Sequence, residues 1–250
     1  MTTRRRFFAP PSSFERDSRS IILPSEEARH LRDVLRLKPG DSASVFDGTG
    51  NEYECSVDEV RRDYVRLTIA SKIKPKSPES PLDLTLALAL LKADKFDLVV
   101  QKATELGVNA IVPVMTRHAD IRLRDDTDAE HRCSRWQRIA LEATKQSGRA
   151  KVPVINLPRE MNEVLEDSAA ARFMFSERFG DSFPSITGDL DNPETMIALV
   201  GSEGGWHDDE ISKALNLGWR ILTLGVRTLR AETAAITAVA LLQHRFGDLR

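Results

Sequence analysis

The stretch Leu224-Gly225-Val226-Arg227-Thr228-Leu229-Arg230-Ala231-Glu232-Thr233-Ala234-Ala235 is the part of the chain from which the fold is best read. An apolar run, Ile221 to Leu224, stops at a glycine, and a short loop then carries Arg227 and Arg230. A helix of small residues follows, with Glu232 and Thr233 in its first turn. Strand, glycine loop and helix N-terminus is the order in which α/β proteins place ligands, because first-turn N–H groups are unsatisfied there. A second junction of this kind, Gly201-Ser202-Glu203-Gly204-Gly205, lies a short way upstream, after the apolar run Thr195 to Val200. Two such loops point to one site built from both.

The upstream loop restricts the ligand. Its glycines let the backbone approach a bound molecule closely. The helix after it begins near His207 with Asp208, Asp209 and Glu210, which suit a helix N-terminus and repel a phosphate. No Lys-Ser/Thr follows, so this is not a P-loop. A neutral or cationic ligand held by main chain fits better. That helix ends at Leu217-Gly218, and Trp219 to Leu224 returns as a strand. Trp206 and Trp219 read as core.

Further outward, Leu82 to Leu91 is a nearly unbroken apolar run, as expected of a strand buried on both faces in a parallel sheet. A helix with Phe96, Val99, Val100, Ala103 and Leu106 inward follows and stops at Gly107; Asn109 to Met115 is the next strand. This is a βαβ unit. Residues 116–127 read as an exposed loop, 129–146 as a helix closed by Gln146-Ser147-Gly148-Arg149, and 152–157 as extended. A short helix is expected over 158–166, a strand over 172–175 and a loop over 179–192.

Residues 71–81, SKIKPKSPESP, are proline-, lysine- and serine-rich with no core pattern, which marks a linker. Before it lie a short strand at Ser20–Leu23, a helix from Ser25 to about Leu35, and β-like runs at 42–46, 52–60 and 64–70. Tight turns separate these runs, so a small β-barrel is predicted. Gly48-x-Gly50 lacks a third glycine and a following helix, and reads as a hairpin turn. The expected division is 1–72, a linker over 73–81, and 82–250.

Bulk properties exclude several classes. The chain has 250 residues, 41% of them hydrophobic, and a net charge of -2, which suits a soluble globular protein of one or two domains. No apolar run reaches the roughly 20 residues that span a bilayer, so no membrane span is expected. No apolar segment follows the basic start, so neither is a signal peptide. Cys55 and Cys133 form no zinc or disulfide pattern, and the histidines do not cluster; a cytoplasmic protein without a metal is expected.

Basic and aromatic residues supply candidates for RNA contact. Arg4, Arg5 and Arg6 precede Phe7 and Phe8, a set that can grip phosphates and stack bases or else tuck into the core. Arg36 lies on the first helix. Lys92 and Lys95 follow a buried strand and read as phosphate contacts, with solvated charge as the alternative. Gln146 and Arg149 sit at a helix end, where they line a pocket for RNA or cap the helix.

Seven segments then carry a resemblance: Arg5-Arg6-Phe7-Phe8, His30-Leu31-Arg32-Asp33-Val34-Leu35-Arg36, Lys92-Ala93-Asp94-Lys95, residues 101–107 (QKATELG), residues 142–149 (EATKQSGR), the Gly201–Gly205 loop and the opening stretch. In this order they resemble the SPOUT superfamily of RNA methyltransferases, specifically the RsmE-type 16S ribosomal RNA uridine N3-methyltransferases. The resemblance covers almost the whole chain. It implies a PUA-like RNA-binding N-terminal barrel and a C-terminal α/β domain with a deep trefoil knot. It implies S-adenosylmethionine held by Leu199, Val200, Gly201, Glu203, Gly204, Leu224, Gly225, Leu229, Arg230 and Ala231. It also implies a homodimer through the knotted domain and the 16S rRNA of the small ribosomal subunit as partner. Ser202 departs from the family's usual proline, at a cost of about 0.4–1 kcal/mol in loop preorganisation. His207 stands where the family usually has a serine cap.

Uridine N3 is a poor nucleophile until its proton leaves, so a base or an anion-stabilising cation is needed. Glu232 and Arg230 are the candidates, with a structural salt bridge between them as the alternative. Glu203 either contacts the cofactor or ties down its own loop. Two other functions remain open at this point: a SPOUT enzyme acting on a ribose 2′-hydroxyl or a tRNA base, and a nonenzymatic RNA-binding assembly factor.

Overall fold

A computed structural model of the chain describes residues 5–15, 19–119, 121–188 and 190–249. Arg4, one of the expected RNA contacts, lies outside the described residues. Two compact units are present. One comprises residues up to 79 together with 144–152, and the other comprises 80–143 and 153–250.

The first unit is built on a five-stranded sheet in the order β1-β3-β4-β5-β2. Its strands are β1 (Arg6–Phe8), β2 (Ser20–Ile22), β3 (Ser42–Phe46), β4 (Glu52–Val60) and β5 (Val65–Ile73). Alternate residues of the central strands, Ala43 and Val45, Cys55 and Val57, Val65 and Leu67, point into one core with Phe7, Ile21 and Leu31. That period of two is what a sheet covered on one face requires. β1 and β2 are the two ends of the ladder, so the small barrel expected is formed as a half-barrel. β5 runs to Ile73, which places the start of the expected linker inside a strand.

Helix α1 (Ser25–Arg29) continues into a π-turn over His30–Val34. The Leu35 N–H donates to the His30 carbonyl, and the Leu37 N–H to Leu31 at 3.1 Å. This wide closure puts Arg36 at φ 54°, in the left-handed region that ordinarily favours glycine. Its side chain is exposed.

The second unit carries a sheet in the order β11-β13-β10-β12-β6-β7-β8, with β9 also pairing β7; among the described residues these strands all pair in parallel. The strands are β6 (Asp83–Ala89), β7 (Ala110–Met115), β8 (Val154–Ile155), β9 (Arg159–Glu160), β10 (Ala171–Phe175), β11 (Asp181–Ser182), β12 (Thr195–Val200) and β13 (Arg220–Thr223). Helices α2 (Ala93–Glu105), α3 (Asp126–Ser147), α4 (Met161–Leu165), α5 (Phe183–Gly188), α6 (Asp208–Asn216) and α7 (Ala231–Phe246) connect or flank them. The apolar run read as a doubly covered strand is β6, with Leu84, Leu86, Ala87 and Leu88 fully buried. α2 buries Phe96 against Trp136 of α3, ring centroids 4.1 Å apart. α7 buries Ala235, Ala238, Val239 and Leu242.

The stretch expected to be a loop over 179–192 instead contains β11 and α5. Its glycine- and proline-rich composition hid a short edge strand that pairs β13. Because β6, β7, β10, β12 and β13 run in parallel, their C-terminal ends share one edge of the sheet, and the loops leaving them gather there.

Candidate functional site

Two loops frame the site, as the opening stretch implied. β12 ends at Val200 and β13 at Thr223, and a cavity lies between the loops that follow. Its lining includes Val200, Gly201, Ser202, Glu203 and Gly204 from the first loop, and Leu224, Gly225, Arg227, Thr228 and Leu229 from the second. Ala231 and Ala234 of α7 close it, and the end of β10 adds Phe175, Ser176 and Glu177.

The glycines of the first loop are required by what lies beneath them. A Cβ on Gly201 would meet the Trp206 ring at 3.1 Å, and one on Gly204 would meet the His118 carbonyl oxygen at 2.7 Å. Trp206 is itself fixed, its Nε1–H donating to the Phe175 carbonyl at 2.7 Å. Gly205 has φ 66°, and the Glu177 carboxylate stands where a Cβ would go. Gly225, at φ 105° with open space around its missing Cβ, is needed for conformation alone.

The loop after β7 latches the first loop from the side. The Ser202 hydroxyl donates to the His118 carbonyl at 3.1 Å, and His118 Nδ1 lies 3.1 Å from the Gly204 carbonyl. Ser202, which replaces the expected proline, therefore holds the loop with a hydrogen bond. The α6 N-terminus is equally well tied. His207 is its N-cap and accepts from the Asp209 N–H at 3.2 Å, while Glu210 reaches back to the His207 N–H at 2.8 Å.

Beside the cavity is a charged cluster. Lys95, in the first turn of α2, is paired with Glu203 of the glycine loop, and its Nζ lies 3.7 Å from Glu232 Oε2 of α7. The Glu203 contact raises the Lys95 ammonium above its ordinary value, and the same contact holds the Glu203 carboxyl below its own. Glu232 Oε2 is buried and accepts no hydrogen bond. The Arg230–Glu232 salt bridge considered from sequence is not formed; the partner of Glu232 is Lys95. Glu203 belongs to both places, since it lines the cavity and anchors the cluster.

Several expected site residues are placed elsewhere. Leu199 is fully buried in the core and does not line the cavity. Arg230 is the N-cap residue of α7, exposed and also outside the cavity lining. Lys95, expected to contact phosphate or else to be a solvated charge, is an ion-pair partner of two carboxylates, whereas Lys92 is exposed. In the first unit Arg5 is exposed and pairs Asp41 at 3.3 Å.

Arg6 and Arg149 are corrected outright, because both side chains are buried. Arg6 donates to Glu52 at 2.9 and 3.2 Å and to the Arg149 carbonyl at 2.6 Å, and it stacks on Phe46. Arg149 donates to Glu79 at 2.6 and 3.0 Å. These ties place residues 144–152 with the first unit, against the expected assignment to 82–250. Gln146, in the same segment, is exposed.

Reading the sequence missed Ser176, Glu177, Ala234 and His118. The first two follow the end of a parallel strand, and the rule that ligands sit at such ends could have found them. Nothing local marks His118, whose role depends on a loop 84 residues away. Among the described residues no cluster of His, Cys, Asp or Glu is suited to a metal, and no helix is long and apolar enough to cross a membrane.

Fold and site together define a class. Residues 78–243 match the RNA methyltransferase domain family, and residues 23–70 match the RNA methyltransferase PUA domain family. The second unit accordingly has the SPOUT fold, and the first is PUA-like. Among curated relatives, the ribosomal RNA small subunit methyltransferase E of Mesomycoplasma hyopneumoniae is 38% identical over 224 residues, covering 89% of this chain and 93% of its own. The Synechocystis enzyme of that name is 30% identical, covering 88% and 72% respectively. A crystal structure of the Neisseria gonorrhoeae methyltransferase E bound to S-adenosyl methionine superposes with TM-score 0.84 at 31% identity, covering 99% of this chain and all of that one. A Legionella pneumophila structure with SAM as bound cofactor gives 0.86 at 30% identity, with the same coverage. The chain belongs to the ribosomal RNA small subunit methyltransferase E family.

Proposed function

We propose that the chain uses S-adenosylmethionine to methylate N3 of a uridine in the 16S rRNA of the small ribosomal subunit. The observation that carries this reading is the adjacency of two features: a glycine-walled cavity, and a charged cluster that shares Glu203 with it. The cavity suits the cofactor. Its glycine loops offer main chain, Leu224 and Leu229 offer apolar surface, and Glu177 and Glu203 offer negative charge to a sulfonium. When bound, the cofactor supplies an electrophilic methyl group.

The chain's own residues do the rest. Gly201 and Gly204 allow close approach, Gly225 sets the turn of the second loop, and the latch from His118 fixes the first, so that much of the rate comes from positioning. Glu232, in the first turn of α7 next to the cavity-lining Ala231, takes the N3 proton on its carboxylate. Arg230, next to it in sequence, stabilises negative charge on the uracil carbonyl oxygens. Arg5, Arg36 and Lys92 supply exposed positive charge for the RNA backbone. The same reading gives the first unit the task of RNA binding and the second unit catalysis. It also includes a trefoil knot around the 224–231 loop, a homodimer through the second unit, and a cytoplasmic location.

Mass mapping of 16S rRNA from cells with and without the gene tests the reaction. Loss of a base methyl on one uridine supports it. A lost ribose methyl, or a change confined to tRNA, refutes the uridine-N3 assignment. Calorimetry with S-adenosylmethionine tests the site: absence of binding, with or without RNA, refutes any methyltransferase reading and leaves an assembly factor. Arg230→Ala should lower kcat by about 100-fold with the unfolding midpoint unchanged; unchanged turnover removes its electrostatic role.

A further inference from the structure

The cavity wall divides by chemistry. Its apolar residues, among them Phe175, Val200, Leu224, Leu229 and Ala231, are buried or half-buried. Among the described residues that line it, the ionisable ones are Glu177, Glu203 and Arg227, and all three are exposed. Two further cations stand beside these carboxylates, and both are engaged. Lys95 pairs Glu203 and Glu232, while Arg178 pairs Asp208 at 3.0 Å and donates to the Trp206 carbonyl. Arg227 pairs no carboxylate among the described residues. It stands at the tip of the second loop, where residues 225–228 are all exposed and Val226 is fully so. A guanidinium keeps its charge at any working pH, and its planar fork of donors matches a carboxylate.

S-adenosylmethionine carries a sulfonium, an ammonium and a carboxylate. The lining offers the opposite set, two carboxylates and one guanidinium. We propose that Arg227 binds the α-carboxylate of the cofactor, so that the site selects a ligand with an intact amino-acid end. The inference rests on the S-adenosylmethionine part of the proposed function and not on the uridine-N3 part. An RNA phosphate is the competing anion. Glu177 and Glu203 in the same lining repel a phosphate, whereas the cofactor brings its carboxylate joined to the two cations that those glutamates attract. Arg230, exposed and outside the lining, has no such tie to the cavity. Methyl transfer removes the sulfonium charge and leaves the carboxylate in place, so Arg227 grips cofactor and product alike. It decides which molecules enter, and the preference for a sulfonium stays with the glutamates.

Calorimetry on the full-length protein tests this with three ligands: S-adenosylmethionine, its decarboxylated form, and the thioether product S-adenosylhomocysteine. The parent should prefer S-adenosylmethionine over the decarboxylated form by about tenfold. Arg227→Met should lose that factor with S-adenosylmethionine and with the product, and should bind the decarboxylated form at least as well as the parent does, so the preference disappears. Arg227→Lys, which keeps the charge without the fork, should retain part of it. The unfolding midpoint should be unchanged in both variants, because the side chain is exposed. A parent without the preference, unchanged S-adenosylmethionine affinity in Arg227→Met, or equal weakening of all three ligands, which marks a loop-shaping role, each overturns the proposal. Filter binding over a salt series addresses the competing anion. A flatter salt dependence of RNA affinity in Arg227→Met, with S-adenosylmethionine affinity intact, assigns Arg227 to phosphate and overturns the proposal as well. A parent that binds none of the three ligands refutes the cofactor reading itself, an outcome distinct from a lost preference.

Discussion

Replacing Arg6 separates folding from RNA binding in the first unit. The Arg6 and Glu52 side chains are 3% and 2% exposed, and their pairing is bidentate. Removing one partner of such a pair strands the other charge without water, at a cost of about 3–5 kcal/mol. Arg6 also satisfies the Arg149 carbonyl and lies 4.1 Å from the Phe46 ring centroid, so Arg6→Ala loses packing as well. Against a typical domain stability of about 5–15 kcal/mol this is a large share. Removing both charges at once, Arg6→Met with Glu52→Leu, leaves no orphan and should cost far less than the single change. Urea unfolding followed by circular dichroism measures all three proteins, and filter binding over a salt series measures their RNA affinity. Arg5→Ala, on the exposed neighbour, should flatten the salt dependence at unchanged stability. The reasoning fails if Arg6→Ala costs less than about 1 kcal/mol, or if it weakens RNA binding with its unfolding midpoint intact.

Three further outcomes follow from other positions. Gly204→Ala puts a Cβ 2.7 Å from the His118 backbone oxygen, so the loop must shift; calorimetry should show cofactor affinity falling by about tenfold, ~1.4 kcal/mol. Arg36→Gly relieves a left-handed backbone and should raise stability by about 1 kcal/mol while weakening RNA binding, a combination that a purely structural arginine would not give. The Lys95 contact holds the Glu203 carboxyl below its ordinary 4.5, so the stabilisation is complete above that value and is lost as the pH falls through the lower folded value. The difference in melting temperature between parent and Glu203→Gln should therefore be flat from about pH 7 to 5 and shrink below about 4.5.

Much of this was legible because the signals were local. An apolar run such as Leu84 to Leu88 needs cover on both faces whatever surrounds it, and the glycines of the Gly201–Gly205 loop announced close backbone approach. The readings that failed depended on distant partners. Arg6 and Arg149 look like free cations in sequence, and only Glu52 and Glu79, 46 and 70 residues away, show that they are buried ion pairs. The edge strand β11 is two residues long and exists because β13 offers it a ladder, so no periodicity could reveal it. The π-turn at His30–Val34 has the apolar pattern of an ordinary helix; its closure is set by where Leu37 must enter the core.

The preference for a cationic ligand also changes footing. From sequence it rested on Asp208, Asp209 and Glu210 at the start of α6. In the structure those acids are engaged. Asp208 pairs Arg178 at 3.0 Å, Asp209 pairs Arg117 at 3.2 Å, and Glu210 accepts the His207 N–H. None of the three lines the cavity, whereas Glu177 and Glu203 do. Selectivity for a sulfonium therefore falls to Glu177 and Glu203. Glu177→Gln should weaken S-adenosylmethionine by about fivefold to tenfold, ~1–1.4 kcal/mol, the scale of one charge pair screened by water at about 4 Å. It should narrow the preference for S-adenosylmethionine over the uncharged thioether product by the same factor. Asp208→Asn should leave both quantities unchanged. Equal losses in the two variants, measured by calorimetry with each ligand, would return the preference to the helix terminus and remove Glu177 from the site.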